Sequence, residues 1–298
     1  MSEPPVEISP AAEAYSLFGR PLVPTTPSGA AGETLVVRLT RARAEYARDS
    51  TNADAIIWLA RRTAYLGRFR EAVGLLSNGI ARHPDDPRML RHRGHRYITL
   101  RLFALAVEDL EAAARMTAGQ PDEVEPDGIP NARNTPTSTL HSNIWYHLGL
   151  AHYLEGDFEN ARRCWTECLK YSGNPDQLCA TTYWLWQSLT RLHRPDEARA
   201  ALEPIRAGMD VIENQDYQRL ALLYRGEGVA DTLLAAARRA GGVSFATVGY
   251  GVGAWHLARG EREPAMSLFR EVLAGDSWAA FGFIAAEAQL KRGGEQPE

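Results

Sequence analysis

One stretch constrains this chain more than any other: Ser142 to Tyr171, SNIWYHLGLAHYLEGDFENARRCWTECLKY. Its apolar residues recur three and four apart, the period of a helix face and not of a strand. Trp145, Leu148 and His152 share one face of a first helix, and Phe158, Ala161, Trp165 and Cys168 share one face of a second. Between them, Glu155–Gly156–Asp157 has the chemistry of a tight turn. The glycine can end one helix in the left-handed conformation, and the aspartate can accept from the free N–H groups that open the next. Gly149 and Ala161 are small where two helices must cross closely, with large residues to fill the space around them.

The same order of residues returns along the chain. A unit opening at Ala53 carries Ile56, Leu59, Ala60, Thr63, Gly67, Phe69, Ala72, Leu76, Gly79 and Pro84. The next follows 34 residues later with Leu90, Arg93, Gly94, Tyr97, Phe103, Ala106, Leu110 and Ala113. A fourth unit has Thr182, Leu185, Trp186, Leu189, Ala198, Leu202 and Ile205, with Pro204 placed to shorten its second helix. A degenerate fifth spans Val211 to Gly241, and a sixth begins near Ala246. Self-similarity at this period is the mark of a stacked array, which escapes the size limit of a single core.

These residues resemble the tetratricopeptide repeat, with its Trp, Leu-Gly, Tyr, Gly, aromatic and Ala positions, over residues 53–116 and 142–275. The resemblance implies an all-α, right-handed superhelical solenoid of about six helix-turn-helix repeats with capping helices at both ends. The expected organisation is an irregular segment 1–31, a solenoid 32–292 and a tail 293–298. Its repeats fall near 53–86, 87–116, 142–175, 179–210, 211–241 and 246–276, with the final capping helix over Ser277 to Lys291. The apolar residues in AEAYSLFGRPLV should pack on the first helices or lie in the groove. Stretches such as EPDGIPNARNTPTSTLHSNIWYHLGLA also resemble bacterial, often exported, members of this family without a settled function.

In that family the first helix of each pair lines a concave surface. Carried over position by position, this puts Arg61, Tyr65, Arg88, Arg91, His95 and Thr99 in the groove. Asn143, Tyr146, Tyr153, Tyr183, Gln187, Arg191 and Tyr250 follow from the later repeats. Tyrosines give large contact area at low entropic cost, which suits an extended peptide. The carboxylate-clamp variant carries Lys and then Asn one turn later on its first groove helix. Ile57 and Arg61 stand at those positions here, which speaks against chaperone-tail binding of that type.

The run RMLRHRGHR sets Arg88, Arg91, His92 and His95 in one stripe on one helix face. A convergent basic stripe in a concavity is a candidate anion site for a carboxylate, a phosphate or an acidic peptide. Directly after this repeat, Thr117 to His141 breaks the period with a Pro-rich insertion, and long insertions in compact arrays are functional or disordered. Its Asp122, Glu123, Glu125 and Asp127 can fold back onto the basic stripe as an internal pseudo-ligand. The other reading is an exposed acidic loop.

Other chemistry finds little support. A formal charge of −4 excludes a globally basic nucleic-acid binder. Cys164, Cys168 and Cys179 read as apolar core fillers rather than a disulfide framework. His92-x-x-His95 lacks a third metal ligand, and neither a phosphate-binding loop nor a nucleophile elbow appears. His152 reads as a satisfied interior histidine. The glycines of Gly249-Tyr-Gly251-Val-Gly253 fit close helix packing better than a dinucleotide loop. The longest apolar run, Trp278 to Ala286, is too short to span a bilayer. MSEPPVEISP lacks the features of a signal peptide, so the chain as written reads as cytoplasmic, or as exported if a leader was removed.

The expected function is therefore a non-enzymatic protein- or peptide-binding scaffold, with no cofactor and no metal. Its site would comprise Arg61, Arg88, Arg91, His95, Asn143, Tyr146, Tyr153, Tyr183, Gln187 and Arg191. The alternatives are a receptor for a small anion in a basic pocket closed by the 117–141 loop and, third, an enzyme.

Overall fold

A computed structural model describes residues 12–25 and 27–297; expectations for residues 1–11 lie outside them. A short antiparallel pair, β1 (Ala14–Tyr15) with β2 (Pro21–Leu22), precedes α1 (Gly29–Arg48), which begins three residues before the expected start of the solenoid. Helix pairs follow: α2 (Ala53–Ala64) with α3 (Phe69–Arg82), α4 (Pro87–Thr99) with α5 (Phe103–Thr117), and α6 (Leu140–Glu155) with α7 (Phe158–Leu169). Then come α8 (Pro175–Arg191) with α9 (Pro195–Leu202), α10 (Gln215–Tyr224) with α11 (Ala230–Ala240), and α12 (Gly242–Ala258) with α13 (Arg262–Leu273). A last helix, α14, covers Phe281–Arg292. Apart from α10 and α11, each helix packs on its neighbour in sequence, and first helices pack on first helices, as a solenoid requires.

Local chemistry accounts for the breaks. Gly156 ends α6 with φ +92°, and the Asp157 side chain accepts from Asn160 N at 3.1 Å to open α7. Thr139 and Ser142 form a reciprocal capping box at the start of α6. Asn52, Asp86 and Asn174 cap α2, α4 and α8 by accepting from the backbone N–H groups of Ala55, Arg88 and Gln177. Helix α9 stops at Leu202, two residues before Pro204, because the ring cannot continue the backbone ladder.

Close crossings carry the core. A Cβ at Gly149 would stand 2.8 Å from the Trp165 ring, so α6 and α7 can meet only through glycine there. Gly249, Gly251 and Gly253 admit Val272, Leu220 and Phe269 in turn, which is their packing role in α12. Arg93 keeps its stem in the core by pairing with Asp109 through two bonds of 2.7 Å.

The last helix does more than cover the end of α13. Phe283, Ile284, Ala285, Ala286, Glu287, Ala288, Gln289 and Leu290 are all buried, so α14 has almost no solvent face. It packs on α12, α13 and α6, and the segment leading into it reaches the first and second repeats. There Trp278 meets Phe69 edge-on at 5.4 Å, and Arg101 pairs with Glu287. The N-terminal pair joins the same contact: the Leu17 N–H donates to Glu287, Val23 O accepts from Trp278 Nε1 at 2.9 Å, and Arg70 donates to Glu13 O. The two ends of the array thus meet, and α14 fills much of the concave face.

Candidate functional site

One group of cavities centres on His95. Three cavities share its wall. The smallest, 100 Å³, is lined by Arg61, Tyr65, Arg91, His92, Arg96 and Glu125 among others. A second, 310 Å³, runs past Arg91, Asn143, Tyr146, His147, Glu213 and Phe281. The third, 630 Å³, is the mouth, walled by Tyr65, Phe69, Tyr217, Trp278 and Phe281. All three include His95, whose ring lies 4.3 Å from that of His147 and 5.3 Å from that of Phe281.

The insertion supplies the acid. Glu125 Oε2 lies 2.9 Å from Arg91 Nε, and its Oε1 lies 4.0 Å from Arg61 and 3.9 Å from His92. The Arg91–Glu125 pair is close but poorly aimed, so neither Arg91 Nε nor Glu125 Oε2 makes a hydrogen bond. The loop is pinned further by its backbone: Arg61 donates to Pro126 O at 2.8 Å and Arg62 to Gly128 O. Asp122 turns away and accepts from the His141 backbone N–H at 3.0 Å, with the His141 ring beside it. Glu213 is held by Asn131 and Thr137.

The electrostatics are unbalanced. Burial and the neighbouring arginines push the pKa values of His92 and His95 well below the usual imidazole value; burial and Arg91 do the same to His147. These rings are therefore neutral at pH 7. Burial, with Arg91 and Arg61 adding to it, brings the Arg96 guanidinium down to about 10. Arg96 stands over the Phe69 ring at 5.7 Å, and its guanidinium has no carboxylate or hydrogen-bond partner among the described residues. Asp127 is raised by burial and by its acidic neighbours Glu213 and Glu125, so the loop's own acids crowd one another.

A sequence model of the tetratricopeptide repeat matches residues 142–175, the pair α6–α7 with its Gly156–Asp157 turn. Residues 142–175 thus form a tetratricopeptide repeat. The chain's all-α superhelix also shows likeness to solved repeat proteins. MamA is 18% identical, over 59% of this chain and 89% of that one, with a TM-score of 0.44. YrrB, described as having an unusual peptide-binding site, is 13% identical over 85% and 97%, at 0.44. A tetratricopeptide repeat protein from Parabacteroides merdae is 12% identical over 85% and 78%, at 0.46. No curated protein matches this chain.

Within the tetratricopeptide array, the expected site residues divide into three groups. Arg61, Arg91, His95, Asn143 and Tyr146 do converge on the enclosed space. Asn143 donates to Ser138 at 2.9 Å, and the Tyr146 hydroxyl accepts from Trp184 Nε1 at 2.8 Å. Arg88 does not join them: it folds back on its helix-capping Asp86 at 2.6 Å and reaches Asp54 at 2.7 Å. The expected four-residue stripe is therefore broken at its first position, where the helix cap competes for the guanidinium.

Tyr153, Tyr183 and Gln187 are a correction. Each is 1% exposed, covered by aromatic neighbours from other repeats and, near Tyr153, by α14. Tyr153 bonds Tyr250, Tyr183 packs on Trp184 and Tyr217, and Gln187 donates to Tyr224 at 3.0 Å. They offer no open aromatic surface for a peptide. Arg191 sits at the opposite end from His95, over Phe158 at 5.0 Å. His152 is buried as expected, but its Nδ1 makes no hydrogen bond.

Arg96, His147 and Phe281 line the site without having been expected there. Arg96 continues the basic run by one residue, and Phe281 sits in the chain's longest apolar run. His147 follows Tyr146 directly and carried no separate signal.

Proposed function

We propose that this protein is a non-enzymatic binding scaffold whose concave chamber takes a ligand bearing a carboxylate or phosphate. The observation that carries this reading is Arg96. Arg96 is half-buried; a partly desolvated cation without a carboxylate partner is costly, and it borders the same cavity as Arg91 and His95. The 100 Å³ space has room for about three waters, or one carboxylate, which matches the group that Glu125 now presents. Glu125 acts as the resident pseudo-ligand. Its misaligned contact with Arg91 makes it displaceable by an anion that also engages Arg96.

The mouth extends this reading. Its aromatic walls, Tyr65, Phe69, Trp278 and Phe281, suit an apolar body behind the acidic head. An acidic chain end of a partner protein is the second reading, favoured by the same open mouth, through which such an end would enter tip first.

The test is calorimetric titration with a panel of aryl and alkyl carboxylates and phosphates, run on the wild-type chain and two variants. Arg96→Gln should abolish saturable binding. Glu125→Gln should tighten it by about tenfold, through removal of the competitor. Equal affinities in all three proteins would sink the proposal.

A further inference from the structure

A second cluster of unspent donors lies away from the His95 chamber. Four helices that are distant in sequence bring it together. Tyr153 comes from the end of α6 and Tyr250 from the middle of α12, while Gln187, Thr190 and Arg191 come from the last turns of α8. Arg292 closes α14. Tyr153, Tyr250, Gln187 and Arg191 line a cavity of 240 Å³ with Leu257 and Ala258 at its apolar side.

The hydrogen-bond inventory does not balance there. The hydroxyls of Tyr153 and Tyr250 bond each other. Whichever donates, the pair holds two protons and uses one between its members, so one O–H has no acceptor among the described residues. Arg292 donates to Leu154 O at 2.9 Å, but its buried Nε makes no bond. The guanidiniums of Arg191 and Arg292 stand 5.0 Å and 5.4 Å from the same Phe158 ring. Neither has an ion pair with a carboxylate among the described residues. Burial, opposed by the two phenols and reinforced by Arg191, holds Arg292 below the usual guanidinium range.

We propose that the cavity beneath Arg191 is a second anion site, taking a small carboxylate or phosphate that accepts from the free phenolic O–H and from the Arg191 guanidinium, with the nearby charge of Arg292, outside the cavity lining, adding to the attraction. Cations that share a ring without an acid between them repel, and an oxyanion is the group that answers both the charge and the spare donors. The rim at Arg191 is partly exposed, which gives such a ligand a route in. This site is independent of the His95 chamber, since no residue lines both.

The experiment is a titration of the full chain with inorganic phosphate, and separately with acetate, read by the side-chain Nε–H resonances of Arg191 and Arg292 in nitrogen-labelled protein. Saturable shifts of both are expected with at least one probe. They should persist in Arg96→Gln, which disables only the first site, and vanish in Arg191→Gln. Tyr153→Phe and Tyr250→Phe keep the core shape, and removing both hydroxyls should weaken binding by about tenfold. Resonances that do not move with either probe, or that move equally with sodium chloride at matched ionic strength, would overturn the proposal. So would unchanged affinity in Arg191→Gln.

Discussion

Arg101 and Glu287 lie 186 residues apart in the chain and 2.9 Å apart in the fold. Both side chains are buried, at 3% and 1% exposure, and the pair ties the turn of the second repeat to the last helix. Arg101 also donates to Trp278 O at 2.8 Å, so a single guanidinium holds both the helix and the segment that leads into it. The array is closed by this contact, and its closure decides which groove residues stay accessible.

Glu287→Gln keeps the shape of the latch and strands the Arg101 cation. Breaking one side of a buried pair costs about 3–5 kcal/mol. A urea midpoint lowered to match, together with a larger radius of gyration by small-angle scattering, is expected. Replacing both partners by apolar residues of similar volume should restore most of the stability. An unchanged midpoint in Glu287→Gln would show that the pair does not hold the ends together.

The seat of α14 should be intolerant of a single methyl group. A Cβ on Gly282 would lie 2.2 Å from the carbonyl oxygen of Ala246, and a backbone atom cannot swing aside. At Gly94 the same addition meets only the side chain of Leu110, 2.7 Å away. Gly282→Ala should therefore destabilise more than Gly94→Ala. The expected cost at Gly282 is at least ~1–3 kcal/mol, measured by denaturant unfolding.

Much of this architecture could be read from residues alone, because helix pairs announce themselves through local chemistry. Gly156, Asp157 and Pro204 each act within a few residues of themselves, so the helix boundaries they imply need no knowledge of the rest of the chain. The return of Glu125 to Arg91 was also legible, from an acidic insertion directly after a basic helix. The closure was not. It depends on Glu287, Leu17 and Arg101, whose meeting is a property of the whole superhelix; the burial of Tyr183 and Gln187 depends likewise on Tyr217 and Tyr224 of the next repeat. One local signal was available: Phe281 to Leu290 is nearly apolar all round, and a helix without a polar face belongs inside.

The histidines of the chamber set a pH dependence. His92, His95 and His147 are all held below the ordinary value of 6.5, so the folded state keeps them neutral while the unfolded chain takes up protons. Stability from this source is complete above pH 6.5 and is lost as pH falls below it towards the folded values. Arg91, Arg96 and Arg61 face the rings and reinforce the effect, and Glu125 opposes it at His92. The slope should approach about 1.4 kcal/mol per pH unit for each histidine. Urea midpoints at pH 7.5 and 5.5 would measure it, and His147→Asn should flatten the difference.

The three thiols should be silent. Cys164, Cys168 and Cys179 are buried and free, and burial raises each to about 12. A thiol-reactive chromophore at pH 8 should label none of them in the native chain and all three in denaturant. Fast labelling of any one in the native protein would contradict the packing around α7 and α8.

Loop order offers the most direct check on the chamber. Arg91 and Arg61 hold Glu125 and Pro126, with both arginine side chains at or below 10% exposure. Arg91→Glu replaces the attraction with repulsion between two buried carboxylates, while the bonds from Arg62 to Gly128 O and from the His141 N–H to Asp122 remain at the flanks. The centre of the insertion should then detach before its ends do. Limited proteolysis should cut Arg91→Glu within residues 123–128 at a rate well above wild type, with little change in helix content by circular dichroism. Adding Glu125→Arg in the same chain restores opposite charges with the order reversed, and protection should return. If cleavage rates in all three proteins coincide, the loop is held by its flanks alone and Glu125 is no pseudo-ligand.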